Sequence, residues 1–290
     1  MDKKLSIINR FKKENYSSYP FPFFTIEKPF DNEIYSKLEQ DYNLFVSFFK
    51  EQEEYQKNNI RLQISAVDFF NNKIFKKSIW HDFILYHSSK DFFLDIIEIF
   101  YNDISKIYPE IIKIIENRKN NENFLGLRNN NNNNNKFDFV SDCQPGINTP
   151  VKSKSTVRDS HIDNPVELIA GLFYLRNNQD SSKGGNLEIM KKVHEKPILF
   201  HKKAEVYNTQ NLEVYKSIDY KKNNVIFFLN TIDSIHRITP RENCDIPRNL
   251  TNIIFETYSL KEKLFKINYK KKLTDFGGIK NKINSLFFSN

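Results

Sequence analysis

Glycine is scarce in this chain, with seven in 290 residues, and cysteine is scarcer still, with two. Two thiols, Cys143 and Cys244, cannot build a disulfide framework, so a reducing, cytoplasmic setting is the expectation. Neither cysteine has the surroundings of a nucleophile. The few glycine-containing stretches, "GLR", "GGN" and "FGG", do not make a phosphate-cradling loop. No apolar run is long enough for a bilayer-spanning helix. The first residues, "MDKKLSIINRFKKENYSSYPFPFF", lack the charged, apolar, small-residue order of a secretory signal.

What is abundant is core material. Hydrophobic residues make up 39% and aromatics 14%, with 27 Phe and 14 Tyr, which excludes a disordered chain. The mass of 34.6 kDa suits one large domain or one domain with an extension. A net charge of +8 and a pI near 9.1 raise the question of a polyanion partner. The lysines, however, are scattered in short runs among acidic residues, and Lys, Asn, Ile, Phe and Tyr are all plentiful while alanine is rare. That pattern fits AT-biased coding and a solvated surface, so a nucleic-acid groove is not expected.

The first third, residues 1–128, reads as mainly helical. "YPFPFFTIEKPF" (Tyr19–Phe30) carries three prolines and is expected to be an edge strand or lead-in. Asp31 can cap "NEIYSKLEQDYNLF", and Ser89 can cap "KDFFLDIIEIFYNDISKI". In the latter, Phe92, Phe93, Ile96, Ile97, Phe100, Ile104 and Ile107 recur at helical spacing and make one apolar stripe. After Pro109, "EIIKIIENRK" predicts a further short helix. Residues 129–136 form an Asn-rich loop. From 137 to 262 the pattern changes to nine short Val-, Ile-, Phe-, Tyr- and Thr-rich segments without a helical stripe, the mark of a sandwich or barrel. Residues 263–290 are a Lys-rich tail.

Within the β-rich part, His161 and Asp163 are spaced two apart in "STVRDSHID", so a strand there would project both to one face. With six histidines available, one H-x-D alone means little. Three further features strengthen it. His236 follows the strand "NNVIFFL" and opens another. Gly184 and Gly185 mark a turn that needs permissive backbone angles. Arg248, twelve residues after His236, heads the segment "RNLTNIIFETYSL".

In this order, His161-x-Asp163, "FYLRN", "GGNLEI", "NTIDSIH" and a basic residue on the next strand, residues 139–260 resemble the iron(II)- and 2-oxoglutarate-dependent oxygenases, in particular their prolyl-4-hydroxylase-like branch. The resemblance implies an α+β chain whose double-stranded β-helix, a jelly-roll or cupin-like barrel, is buttressed by N-terminal helices. It implies that His161, Asp163 and His236 ligate Fe(II), leaving coordination positions for 2-oxoglutarate and O₂. Arg248 would bind the distal carboxylate of 2-oxoglutarate, with Arg241 as the competing residue, and Tyr174 would add a hydroxyl. The implied reaction is oxidative decarboxylation to succinate and CO₂ coupled to oxidation of a substrate C–H, with a small or carbohydrate-like molecule as the expected substrate. Arg158 and Gln144 are expected near the metal pair. His81 and His87, in "SIWHDFILYHSS", read as helix-face residues rather than ligands. Rival readings are a non-catalytic β-sandwich or cupin-like binding module, and an oxygenase of the same superfamily acting on nucleic acid or on protein side chains. The demethylases of nucleic acid usually carry a second arginine where this chain has Ile254.

Overall fold

The computed structural model describes residues 3–129, 134–194, 197–260 and 262–270; part of the Asn tract and residues 271–290 of the tail lie outside them. Five α-helices occupy the first third: α1 (Asn32–Lys50), α2 (Ala66–Asn71), α3 (Ile79–His87), α4 (Lys90–Ile107) and α5 (Pro109–Arg118). The caps expected from the sequence form. The Asp31 carboxylate accepts from the Ile34 amide and the Ser89 hydroxyl from the Phe92 amide, satisfying donors that the first turn leaves open. Pro109 sits at the first turn of α5, where its missing N–H costs nothing. Of the α4 stripe, all but Ile107 are buried.

The same first third also contributes strands: β1 (Tyr16–Ser17), β2 (Phe23–Glu27), β3 (Arg61–Gln63) and β4 (Leu125–Leu127). Later come β5 (Phe139–Asn148), β6 (Glu167–Tyr174), β7 (Leu187–Lys192), β8 (Phe200–His201), β9 (Glu205–Val206), β10 (Leu212–Ile218), β11 (Asn224–Leu229), β12 (His236–Ile238) and β13 (Arg248–Thr257). One eight-stranded sheet runs β1-β2-β11-β6-β13-β5-β3, with β4 alongside β5. Its pairings are antiparallel except β4 with β5. Four of its strands therefore come from residues 1–128, and the helical segment is joined to the β-rich one through a shared sheet. A smaller sheet runs β10-β7-β12, and β8 pairs with β9.

Both faces of the large sheet are covered, which is why β6 ("ELIAGLFY") and β11 ("NVIFFL") read as almost continuous apolar runs. One face packs on the helices. There Phe93 of α4 meets Phe255, Phe139 and Phe124 with ring centroids 5.0, 4.8 and 5.8 Å away. The other face packs on the smaller sheet through Ala170, Leu172, Ile226, Phe228, Leu250 and Ile254 against Leu187, Ile189, Ile218 and Ile238. Among the described residues no helix is long and apolar enough to cross a membrane.

One expected strand does not form. Residues 155–163 make only isolated bridges, at Ser155 and His161. Local side-chain bonds compete with a ladder here: the Thr156 hydroxyl bonds the Arg158 and Ile238 carbonyls, and the Ser160 amide donates to its neighbour Asp159.

Candidate metal centre and its cavity

His161 and His236 are brought together by backbone pairing. Each donates its amide to the other's carbonyl at 3.0 Å, the closed pair of an antiparallel ladder, so their side chains rise on the same side. The imidazole centroids stand 4.2 Å apart. Ile162, between the first pair of site residues, is held by its amide on the Ala204 carbonyl, and Asp163 follows it into the loop before β6. H-x-D thus reaches one point from a bridge and a loop, and not from a regular strand.

The three side chains converge. An Asp163 oxygen lies 3.7 Å from His161 Nε2, and the other lies 3.7 Å from His236 Nε2. All three donor atoms fall within 4.8 Å of one another. A separation of 3.7 Å is too long for a hydrogen bond, yet it suits two bonds of about 2.0–2.2 Å meeting at an angle on one cation. The second ring nitrogens are occupied. His161 Nδ1 donates to the Asp159 carbonyl at 2.6 Å and His236 Nδ1 to the Ser234 carbonyl at 2.9 Å. Those bonds orient the rings and leave each Nε2 with its lone pair. Burial, reinforced for His161 by His236 and Arg158, holds the His161 imidazole well below its ordinary pKa, and burial also lowers that of His236. Both rings are therefore neutral near pH 7, as ligands must be. The donor set, two imidazoles and one carboxylate, fits a divalent first-row metal with part of its coordination sphere open.

Arg158 lies where its sequence position predicts, its Nη1 3.2 Å from Asp163 Oδ1. Gln144 does not reach the three donors. It belongs to a chain of amides on the same sheet face, Asn252 to Gln63 to Gln144 to Asp142.

The donors open into a cavity of about 80 Å³, lined on its apolar side by Ala170, Leu172, Phe228, Ile238 and Ile254 and on its polar side by Arg61, Glu167 and Asn252. Burial, with Asp163 nearby, pushes the Glu167 carboxyl well above the usual carboxylate range.

Arg248 and Arg241 are both 1% exposed, yet their surroundings differ. Arg241 already has a counter-ion: its Nη2 is 2.8 Å from Asp180 Oδ2, and its Nε donates to the Ser182 hydroxyl. Arg248 has none. Its Nε donates to the Gly185 carbonyl at 2.9 Å and its Nη1 to Asn148 Oδ1 at 3.0 Å, while Nη2 has no partner among the described residues. Its guanidinium carbon stands 4.9 Å from the ring centres of both Tyr174 and Tyr220. The Tyr174 hydroxyl is likewise buried without a partner among the described residues. A buried guanidinium and a buried phenol with unmet bonding capacity form a site suited to an anion such as a carboxylate. The expected glycine turn serves this site. Gly184 and Gly185 have φ of +85° and +78°, and a side chain at Gly185 would meet Arg248 at 3.3 Å.

Arg61 and Asn148 carry no motif that marks them in the sequence. Arg61 opens β3, where the only local signal is the alternation of Ile60, Leu62 and Ile64 with Arg61 and Gln63, and Asn148 closes β5, which is buried throughout.

No protein-family model matches this chain, and no curated protein matches it. Solved structures similar to it include a prolyl 4-hydroxylase from Phytophthora capsici (13% identity, covering 91% of this chain and 68% of that one, TM-score 0.43). They also include a Shewanella oneidensis protein named as an oxygenase (12% identity, 92% and 91% covered, TM-score 0.47). A Trichoplax adhaerens prolyl hydroxylase, in complex with a peptide fragment of a hypoxia inducible factor, is a third (13% identity, 88% and 89% covered, TM-score 0.40). By itself this likeness in chain arrangement assigns no metal, cosubstrate or substrate to the protein.

Proposed function

We propose that the protein is an Fe(II)- and 2-oxoglutarate-dependent oxygenase whose residues 137–262 form a double-stranded β-helix core, acting on a small-molecule substrate. The observation that carries this is the convergence of His161, Asp163 and His236, with both Nε2 atoms turned towards the carboxylate and lacking a protein donor, at the end of a partly apolar cavity. In this reading those three residues hold the iron. Arg248 and Tyr174 hold the distal carboxylate of 2-oxoglutarate, because the alternative, Arg241, is already neutralised by Asp180.

Bound iron would supply the activation of O₂, coupled to decarboxylation of 2-oxoglutarate to succinate and CO₂. The chain's own residues have simpler tasks. The Asp159 and Ser234 carbonyls fix the imidazole tautomers, and Arg158 orients the Asp163 carboxylate. Arg248 neutralises the buried anion, and the Gly184–Gly185 turn keeps its guanidinium in place. Ala170, Leu172, Phe228, Ile238 and Ile254 keep water away from the reacting C–H.

Anaerobic titration with Mn(II) or Fe(II), followed by assay of succinate, tests the proposal. The wild type should bind the metal and convert 2-oxoglutarate to succinate only with iron. Asp163→Ala and His161→Ala should weaken metal binding by more than about 100-fold while the circular dichroism spectrum is unchanged. A wild type that retains no metal, or binds it equally well in both variants, would sink the reading and favour a binding module.

A further inference from the structure

Arg61 stands in the wall of the metal cavity with nothing to bind. The chain has nine arginines, and each of the other eight makes a hydrogen bond or ion pair, whereas Arg61 makes neither among the described residues. β3 places it there. It is opposite Asn148 of β5, which is opposite Arg248 of β13, so one register row crosses three strands and carries a guanidinium at each end. Strand spacing puts the two arginine backbones roughly 10 Å apart. The two are not equivalent: Arg248 is buried, whereas Arg61 is more exposed, lines the cavity and feels the charges of Arg248, Asp163 and Arg158.

The acidic groups lining the cavity do not serve Arg61. Asp163 faces His161, His236 and Arg158. Glu167 also lines the cavity, opposite Glu256 in the β6–β13 register, and makes no ion pair with Arg61 among the described residues. A second hollow, of about 800 Å³, shares Arg158 and Glu167 with the cavity and adds Lys203, Lys263 and Lys266 against Glu262. The surroundings of Arg158 are thus rich in positive charge, and in the adjoining cavity Arg61 presents an unpaired guanidinium fork, whose geometry matches a carboxylate.

We infer that Arg61 anchors a carboxylate of the primary substrate, which makes that substrate an organic acid. This rests on the function proposed above, in which 2-oxoglutarate has one carboxylate on the metal and the other on Arg248, leaving Arg61 for a different molecule.

Calorimetric titration of the full chain with hexanoate, a slender carboxylate whose alkyl part can lie on Leu172 and Ile254, tests it. The titration is run on metal-free protein and on protein holding Mn(II) and N-oxalylglycine. Arg61→Met should weaken hexanoate binding at least about tenfold, and Arg61→Lys should restore part of it. N-oxalylglycine affinity should fall in Arg248→Met and be kept in Arg61→Met. Equal hexanoate affinity in wild type and Arg61→Met overturns the inference. So does a loss of N-oxalylglycine binding in Arg61→Met, because Arg61 would then belong to the cosubstrate. If Mn(II)-loaded wild type does not bind N-oxalylglycine, the oxygenase reading fails, while the hexanoate difference on metal-free protein still reads Arg61.

Discussion

Along β13, Ile253 and Phe255 point to the helices, while Leu250, Asn252 and Ile254 point to the smaller sheet, with Arg248 at the head of the latter row. The two faces of one strand thus meet opposite environments. On the helix face the contacts are rings on rings, such as Phe93 with Phe255 and Phe139. On the inner face, apolar residues share space with Arg248 Nη2, Asn148 Nδ2 and the Tyr174 hydroxyl, all buried without a partner among the described residues. Unmet polar atoms of this kind each cost roughly 1–3 kcal/mol. The helix face holds such atoms too, the Tyr35 hydroxyl and Thr251 Oγ1 among them, but the inner face gathers a guanidinium, a carboxamide and a phenol close to one another, where one ligand could meet them together.

The largest effect should come from the helix face. Phe93→Ala removes a fully buried ring from a cluster of four and should destabilise the protein by about 3–5 kcal/mol in urea unfolding. The folded fraction should still bind Mn(II) as wild type does. Altered metal affinity would mean that the two faces are not separable.

The two buried arginines sharpen the same contrast on the inner side. Arg241→Met leaves the 0%-exposed Asp180 side chain without its closest cation, and should cost about 3 kcal/mol. Arg248→Met removes a buried charge that has no counter-ion, so the desolvation it relieves offsets its two lost hydrogen bonds. Its stability should stay within about 1 kcal/mol of wild type, while N-oxalylglycine binding to the Mn(II) form is lost. Denaturation midpoints together with calorimetry check both. Large destabilisation by Arg248→Met with retained ligand binding would make Arg248 structural.

Much of this was legible in the chain because the signals are local. Asp31 and Ser89 announce their helices by chemistry within one turn, and "VELIAGLFYL" and "NNVIFFL" announce buried strands by composition. The order of His161, Asp163 and His236 pointed to one site, and the side chains do meet. What escaped depends on distant partners. β3 is three residues long inside a segment that reads as helical, and it is a strand only because β5 pairs with it. β5 runs through Pro145, which argues against a strand in isolation; here the Pro145 carbonyl accepts from the Ile64 amide instead. With β3 unseen, Arg61 could not be placed. The strand expected through His161 failed for the converse reason: Thr156 and Asp159 bond locally, which no alternation of apolar residues reveals.

Histidines give the finest version of the comparison. His87, on the helix face, is as buried as the candidate ligands, but both its nitrogens are used: Nδ1 donates to the Phe83 carbonyl at 2.7 Å and Nε2 accepts from the Ile7 amide at 3.1 Å. Burial lowers its pKa to about 3, from an ordinary value of 6.5. Since the folded state binds this proton less readily than the unfolded state, the stabilisation is complete above pH 6.5 and is lost as pH falls towards 3. Between about pH 6 and pH 4 the contribution of one such group changes by roughly 1.4 kcal/mol per unit. His87→Gln can keep both hydrogen bonds but does not titrate, so its unfolding free energy should fall less steeply with acid by about that slope. Parallel curves for wild type and variant would show that His87 does not carry the acid sensitivity, which would then belong to other groups, His161 and His236 on the inner face among them.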